Sequence, residues 1–150
     1  MKISTATLAI SALLFFSASS SFAQVRKIPA TVTEAFKDRY PQASNVEWRD
    51  KLSAFVVVFE ENNTKYEARF NSKGEWQNTE EEIDENALPE GVKEGFQKSK
   101  YAEWSIDAVH KIELPGDVVR YRVQAVKTDL QKKNLLFNGS GRLLKDKITL

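Results

Sequence analysis

From Ile28 onward the apolar positions keep a helical period for one stretch and a strand period for the next four. Val32, Ala35, Phe36 and Tyr40 fall at i, i+3, i+4 and i+8, one stripe of a helix. Pro29 suits the first turn, where its missing N–H costs nothing, and Pro41 stops the helix after Tyr40. Val46–Trp48 then predicts a short strand, and Ala54–Glu60 a strong one, rich in β-branched and aromatic residues. Lys65–Phe70 alternates cleanly, with Tyr66, Ala68 and Phe70 on one face and Lys65, Glu67 and Arg69 on the other. Glu61–Thr64 and Asn71–Gly74 read as turns, and Gly74 is free to take a positive φ. Glu75–Thr79 is a fourth strand, containing Trp76.

The pattern then starts again. Ile28-Pro29, Val32, Ala35 and Phe36 return as Leu88-Pro89, Val92, Gly95 and Phe96 at an offset of 60. Phe70-Asn71-Ser72-Lys73-Gly74 returns as Phe137-Asn138-Gly139-Ser140-Gly141 at an offset of 67. The seven extra residues are expected around Val109–Asp117. The second helix carries Gly91 and Gly95 and should be the weaker, since each glycine costs up to about 1 kcal/mol relative to alanine. Ser105–Ile112, Val118–Val126, Asn134–Phe137 and Leu143–Ile148 complete four more strands. The prediction is an α+β fold of two tandem helix-plus-four-antiparallel-strand repeats. The first is 24–87 and the second 88–150, together one compact unit.

One helix per repeat can cover only one face of its sheet, and antiparallel sheets tolerate an open second face. Alternation puts Glu47, Arg49, Val56, Val58, Lys65, Glu67 and Arg69 on that open face, with Arg120, Arg122, Gln124 and Leu136 from the second repeat. A one-residue slip in pairing would exchange the two faces. Trp76 is a candidate for the same face, where Trp and Arg dominate binding hot spots; inward packing is the competing reading. The candidate binding residues are therefore Arg49, Val56, Val58, Arg69, Trp76, Arg120 and Arg122.

The first 23 residues lie outside this scheme. Lys2, an apolar run through Phe16 and the small-x-small ending Ser21-Phe22-Ala23 predict a secretory signal peptide cleaved before Gln24. That places the protein in the periplasm or outside the cell. The apolar run is too short for a membrane span, and no later segment replaces it. With no Cys, stability cannot rest on disulfides. A net charge of +1 argues against a protein built mainly to bind nucleic acid. The charge is uneven, however. Residues 24–88 hold 9 basic and 13 acidic side chains, whereas residues 89–150 hold 12 and 8. Internal attraction between the halves explains this, and so would self-association through them.

Catalytic chemistry is hard to assemble from these residues. A cysteine nucleophile is impossible, and His110, the single histidine, reads as an ordinary strand residue without a Gly-x-Ser-x-Gly elbow. One His and no Cys cannot supply a zinc site. The acid run Glu80, Glu81, Glu82, Asp84, Glu85 lacks the spacing of a calcium loop and reads as a solvated linker before the second helix. Asn62-Asn63-Thr64 and Asn138-Gly139-Ser140 match a glycosylation pattern, but turn chemistry accounts for both. No cofactor and no metal is expected, and the protein is not expected to be an enzyme.

The signature Ile28-Pro29 … Tyr40-Pro41, Val46-x-Trp48, Tyr66-x-Ala68-x-Phe70-x-x-x-Gly74-x-Trp76 and the restart at Leu88-Pro89 resembles the PepSY-like, beta-lactamase-inhibitor-like periplasmic proteins of bacteria. The resemblance runs from Ile28 to Ile148. It implies that the two sheets join side by side into one curved sheet, helices on one face, and that the open face grips a partner protein. Two departures weaken the inhibitor analogy: the absent disulfides, and the lack of any recognisable inhibitory loop residue. The expected function is a secreted, non-enzymatic module that binds a protein or peptide of the cell envelope through its open sheet face. A carrier of a small apolar ligand is the alternative.

Overall fold

The computed structural model describes residues 27–148, so the predicted signal peptide lies outside the described residues. Helix α1 (Ala30–Arg39) is followed by strands β1 (Ser44–Lys51), β2 (Ala54–Glu61), β3 (Thr64–Phe70) and β4 (Trp76–Ile83). A 3-10 turn at Glu85–Ala87 leads into α2 (Glu90–Gln97), then β5 (Ser105–Leu114), β6 (Val118–Thr128), β7 (Gln131–Asn138) and β8 (Leu143–Ile148). The eight strands form one sheet in chain order, and every neighbouring pair is antiparallel.

Register puts both helices on one face. Ala68 opposes Thr79 across β3 and β4, and Ile83 opposes Val109 across β4 and β5. Thr79 and Ile83 are four residues apart on one strand and so point the same way. Ala68 packs in the cluster under α1 with Val32, Phe36, Phe55, Val57, Phe59 and Phe70. Val109 packs in the cluster under α2 with Leu88, Val92, Phe96, Val123, Leu135 and Phe137. Within the first cluster Phe36 is the hub: its ring lies 5.1 Å from Phe59 and 5.4 Å from Trp48, both edge-on. Edge-on rings of this kind add about 1 kcal/mol beyond the area they bury.

The turns obey local chemistry. Asn62 and Asn63 both take positive φ, 51° and 65°, in the two-residue turn between β2 and β3. The Asn71 side chain accepts hydrogen bonds from the backbone N–H groups of Lys73 and Glu75, and Asn138 accepts one from Arg142 N–H. Gly74 and Gly141 sit at φ +82° and +85° in these turns.

The acid run departs from the sequence expectation. Strand β4 continues to Ile83, so Glu80, Glu81 and Glu82 are strand residues, not a solvated linker. Cations across the sheet make this possible: Glu80 pairs with Arg122, and Glu81 with Lys111. Asp84 does what an acid before a helical turn should, accepting from Asn86 N–H. The extra length of the second half lies partly in β5 and β6, with 10 and 11 residues against 8 each in β1 and β2. One more residue is in the turn between β5 and β6, and one is added, net, between the start of α2 and β5.

Candidate binding face

The face opposite the helices is built by three rows of side chains that follow directly from strand register. One row runs Arg49, Val56, Arg69, Asn78. The next runs Glu47, Val58, Glu67, Glu80, Ile112, Arg120, Asn138. A third, on the other side of that middle row, runs Glu82, His110, Arg122, Leu136, Lys145. Six of the seven candidates from the sequence are therefore on this face: Arg49, Val56, Val58, Arg69, Arg120 and Arg122.

Trp76 is not. A β-bulge between Arg69 and Phe70 makes Phe70 oppose Trp76 directly, skipping Gln77. One extra residue reverses the alternation, so Trp76 turns to the helix side. There it packs against the first cluster and lies under the Arg39 guanidinium, 3.5 Å from ring centroid to Cζ. Its indole N–H donates to Thr79 Oγ, which also shares a hydrogen bond with the Tyr40 hydroxyl. That gives the buried Thr79 its partners and fixes Trp76 as a structural residue.

The floor of the face is apolar. Val56, Val58 and Ile112 are only 1%, 7% and 7% exposed although no helix covers them. Their neighbours in register explain it: Arg49 and Arg69 flank Val56, and Glu47 and Glu67 flank Val58. Long charged side chains lay their stems along apolar surface and keep their heads in water. An open depression of about 370 Å3 lies on this face, lined by Val58, Tyr66 and His110 and by the charged side chains of Arg49, Lys65, Glu67, Arg69, Glu80, Glu82 and Arg122.

Charge on the face is ordered. Arg122 donates to Glu80 at 2.5 Å, with only 30% and 19% of the two side chains exposed. Arg49 pairs with Glu47 at 3.1 Å, but in the open, where such a contact is worth little. Arg69 has no acidic partner among the described residues. His110 stands between Glu82 and Arg122, and its Nδ1 is buried without a hydrogen-bond partner. Burial, and then the Arg122 cation, hold its pKa below the ordinary histidine value.

On the helix side, between the two clusters, Lys111 donates to Glu113 at 2.7 Å and to Glu81 at 3.1 Å. The bond to Glu113 is the largest influence raising its pKa. Two of the cross-half attractions predicted from the charge imbalance are thus internal ion pairs, Glu80–Arg122 and Glu81–Lys111. Among the described residues no group of three or more His, Asp or Glu is placed to hold a metal ion, and no helix is long and apolar enough to cross a membrane.

Glu80, Glu82, His110 and Ile112 belong to this face but were not assigned to it from sequence. Their signal was present as the continued alternation of 78–83 and 109–112, masked in the first case by a run of acids that looks like a linker.

A model of the family described as "Putative beta-lactamase-inhibitor-like, PepSY-like" matches residues 53–145. Among solved structures, the chain is 27% identical to a BLIP-like protein from Bacteroides fragilis NCTC 9343, covering 82% of this chain and 87% of that one at a TM-score of 0.71. A DUF2874 family protein from Bacteroides ovatus ATCC 8483 is 26% identical, with 81% and 88% covered and a TM-score of 0.74. A protein described among the periplasmic proteins of Bacteroides eggerthii DSM 20697 is 22% identical, covers 81% and 89%, and has a TM-score of 0.74; it supports the fold alone. No curated protein matches the chain.

Proposed function

We propose a function for a chain that belongs to the PepSY-like, beta-lactamase-inhibitor-like family: it is a non-enzymatic binding module that engages a partner protein of the cell envelope through the open face of its sheet. The observation that carries this reading is a sheet face left without a helix, whose depression sets arginines and acids around Val58. Apolar surface framed by Arg is the composition of protein-binding hot spots. The BLIP-like relative agrees with it. A carrier of a small apolar ligand would need a deep apolar cavity on this sheet, and the depression there is lined mainly by charged side chains.

The same reading takes the chain as two tandem repeats, 24–87 and 88–150, forming one unit. It is supported by equivalent bulges, which turn Trp76 and Leu143 to the helix side at positions 67 residues apart. It also takes residues 1–23 as a signal peptide and the periplasm or the cell exterior as the location, on the strength of Lys2, the apolar run through Phe16 and the ending Ser21-Phe22-Ala23. Sequencing the N-terminus of the secreted protein should give Gln24 first.

Photo-cross-linking tests the face. A benzophenone side chain is placed at Glu67 or Leu136 on the open face, and at Lys37 or Lys98 on the exposed helices. Irradiation in envelope extract should join the same protein to both open-face positions and to neither helix position. Adducts formed only from the helices would overturn the reading.

A further inference from the structure

We propose that the corner of the open face formed by Arg49 and Arg69 receives an acidic side chain from a loop or extended segment of a partner protein, with an aliphatic or aromatic neighbour of that acid resting on Val58. The proposal rests on the open face being the docking surface and adds the chemistry of what docks there.

Arg49 and Arg69 stand in one row on β1 and β3, on either side of Val56. Strands two apart are separated by about 10 Å, so two arginine side chains from those backbones can converge on a single carboxylate. Val56 between them is 1% exposed, which gives the two cations an apolar backing and strengthens any ion pair made over it. Neither cation is fully used. Arg69 has no acidic partner among the described residues, and the contact of Arg49 to Glu47 is at 46% and 65% side-chain exposure. Arg122 is different, since Glu80 already engages it in a mostly buried pair. Arg120 lies in another row and does not line the depression.

A second observation says that the depression is made to be occupied. His110 is among the residues lining the same depression, and its Nδ1 is buried without a partner. Buried polar atoms are seldom left so, and a docked segment supplies what is missing. The size of the acidic feature is also limited. Glu67 and Glu80 run beside the arginine corner and Glu82 lies one row beyond, so a uniform polyanion laid across the face meets like charge within one row. An acid set among apolar residues fits; a stretch of nucleic acid or polyglutamate does not.

The test uses residues 24–150, which contain every described element, and a displayed library of random twelve-residue peptides. Selected peptides should be enriched in Asp or Glu next to a large apolar residue. Binding of a representative peptide should fall roughly tenfold or more in the Arg69→Glu protein. It should recover in part when the peptide's acid is changed to Lys. Arg69→Gln is a milder second variant, and unchanged melting temperatures show that both fold. Peptides that depend on Leu136→Arg or Glu67→Arg but show no acid enrichment, or ignore Arg69→Glu, would overturn the acidic segment and leave the open face standing. Peptides indifferent to every open-face substitution would remove both. Equal binding of polyglutamate, or an empty selection, would also overturn the proposal.

Discussion

The two halves place the same elements around the same turns, yet their helices lie at different distances from those turns. In the first half, a Cβ on Gly74 would lie 2.6 Å from the Thr31 carbonyl oxygen on α1. In the second, a Cβ on Gly141 would lie 1.7 Å from the Gly91 oxygen on α2, and one on Gly95 would lie 2.0 Å from the Gly141 oxygen. The composition of the two cores differs in step with this. The first cluster is filled by Phe36, Phe55, Phe59 and Phe70, with Trp48, Tyr66 and Trp76 around them, and such rings hold a helix away from its sheet. The second relies more on Leu88, Val92, Val109, Val123, Ala125 and Leu135, and α2 settles nearer. The glycines of α2, read from sequence as a weakness, are the contact surface that this closeness requires.

Substitutions that restore a Cβ at the close contact should therefore have the largest effects. Gly141→Ala meets backbone at 1.7 Å and also forces alanine to φ +85°, so a loss of about 3 kcal/mol or more is expected in urea unfolding. Gly95→Ala decides between two accounts of the helix. Propensity alone predicts a gain of about 1 kcal/mol, whereas the contact predicts a loss of roughly 2 kcal/mol. The matching change in the first half, Ala35→Gly, should cost only about 1 kcal/mol, because no such approach exists there. If Gly95→Ala stabilises the protein, the difference between the halves has been drawn wrongly.

Next comes the polar exception in the first half. Thr79→Val would leave the Tyr40 hydroxyl and the Trp76 indole N–H without their shared partner, at a cost of about 1–3 kcal/mol. Thr79→Ser keeps the oxygen and should recover most of it. Among the described residues the second half has no buried polar side chain to match Thr79.

A smaller effect is expected where the halves meet. A double-mutant cycle on Glu80→Gln and Arg122→Ala should give a coupling of about 1 kcal/mol, since the pair is mostly buried but both groups keep some water. A coupling near zero would mean that the joint between β4 and β5 is held by backbone pairing alone.

Much of this was legible in the residues. Helix α1, strands β2 and β3 and the two Asn-x-x-Gly turns could be read because period, proline positions and turn chemistry all agree there. Six of the seven candidate face residues follow from alternation alone. Trp76 did not, because a bulge reverses alternation and leaves no composition mark of its own. The end of β4 was hidden for another reason. Five acids in six residues look solvated until Arg122 and Lys111, 42 and 30 residues beyond Glu80 and Glu81, are brought beside those two. Long-range pairing of that kind is set by register, which local sequence does not carry.

The smallest effect, and the one that tells the halves apart without disturbing a core, is the response to acid. Asp146 and His110 are among the groups of the second half that are shifted toward their deprotonated forms. Asp146 on β8 accepts from the Tyr101 hydroxyl and pairs with Lys100, and these contacts, the Tyr101 bond first, lower its pKa. His110 on β5 is lowered by burial and then by Arg122. In both cases the unfolded chain takes up its proton at a higher pH than the folded one, so stability falls with falling pH. The windows differ. The His110 contribution is complete above about pH 6.5 and declines as the pH drops from there to its lowered folded value. The Asp146 contribution is complete above about pH 4 and is lost below it. Melting temperature followed from pH 8 to pH 2 should therefore descend in two steps. His110→Gln should flatten the upper step alone and Asp146→Asn the lower one alone. A single step that neither substitution alters would mean that acid acts through other groups.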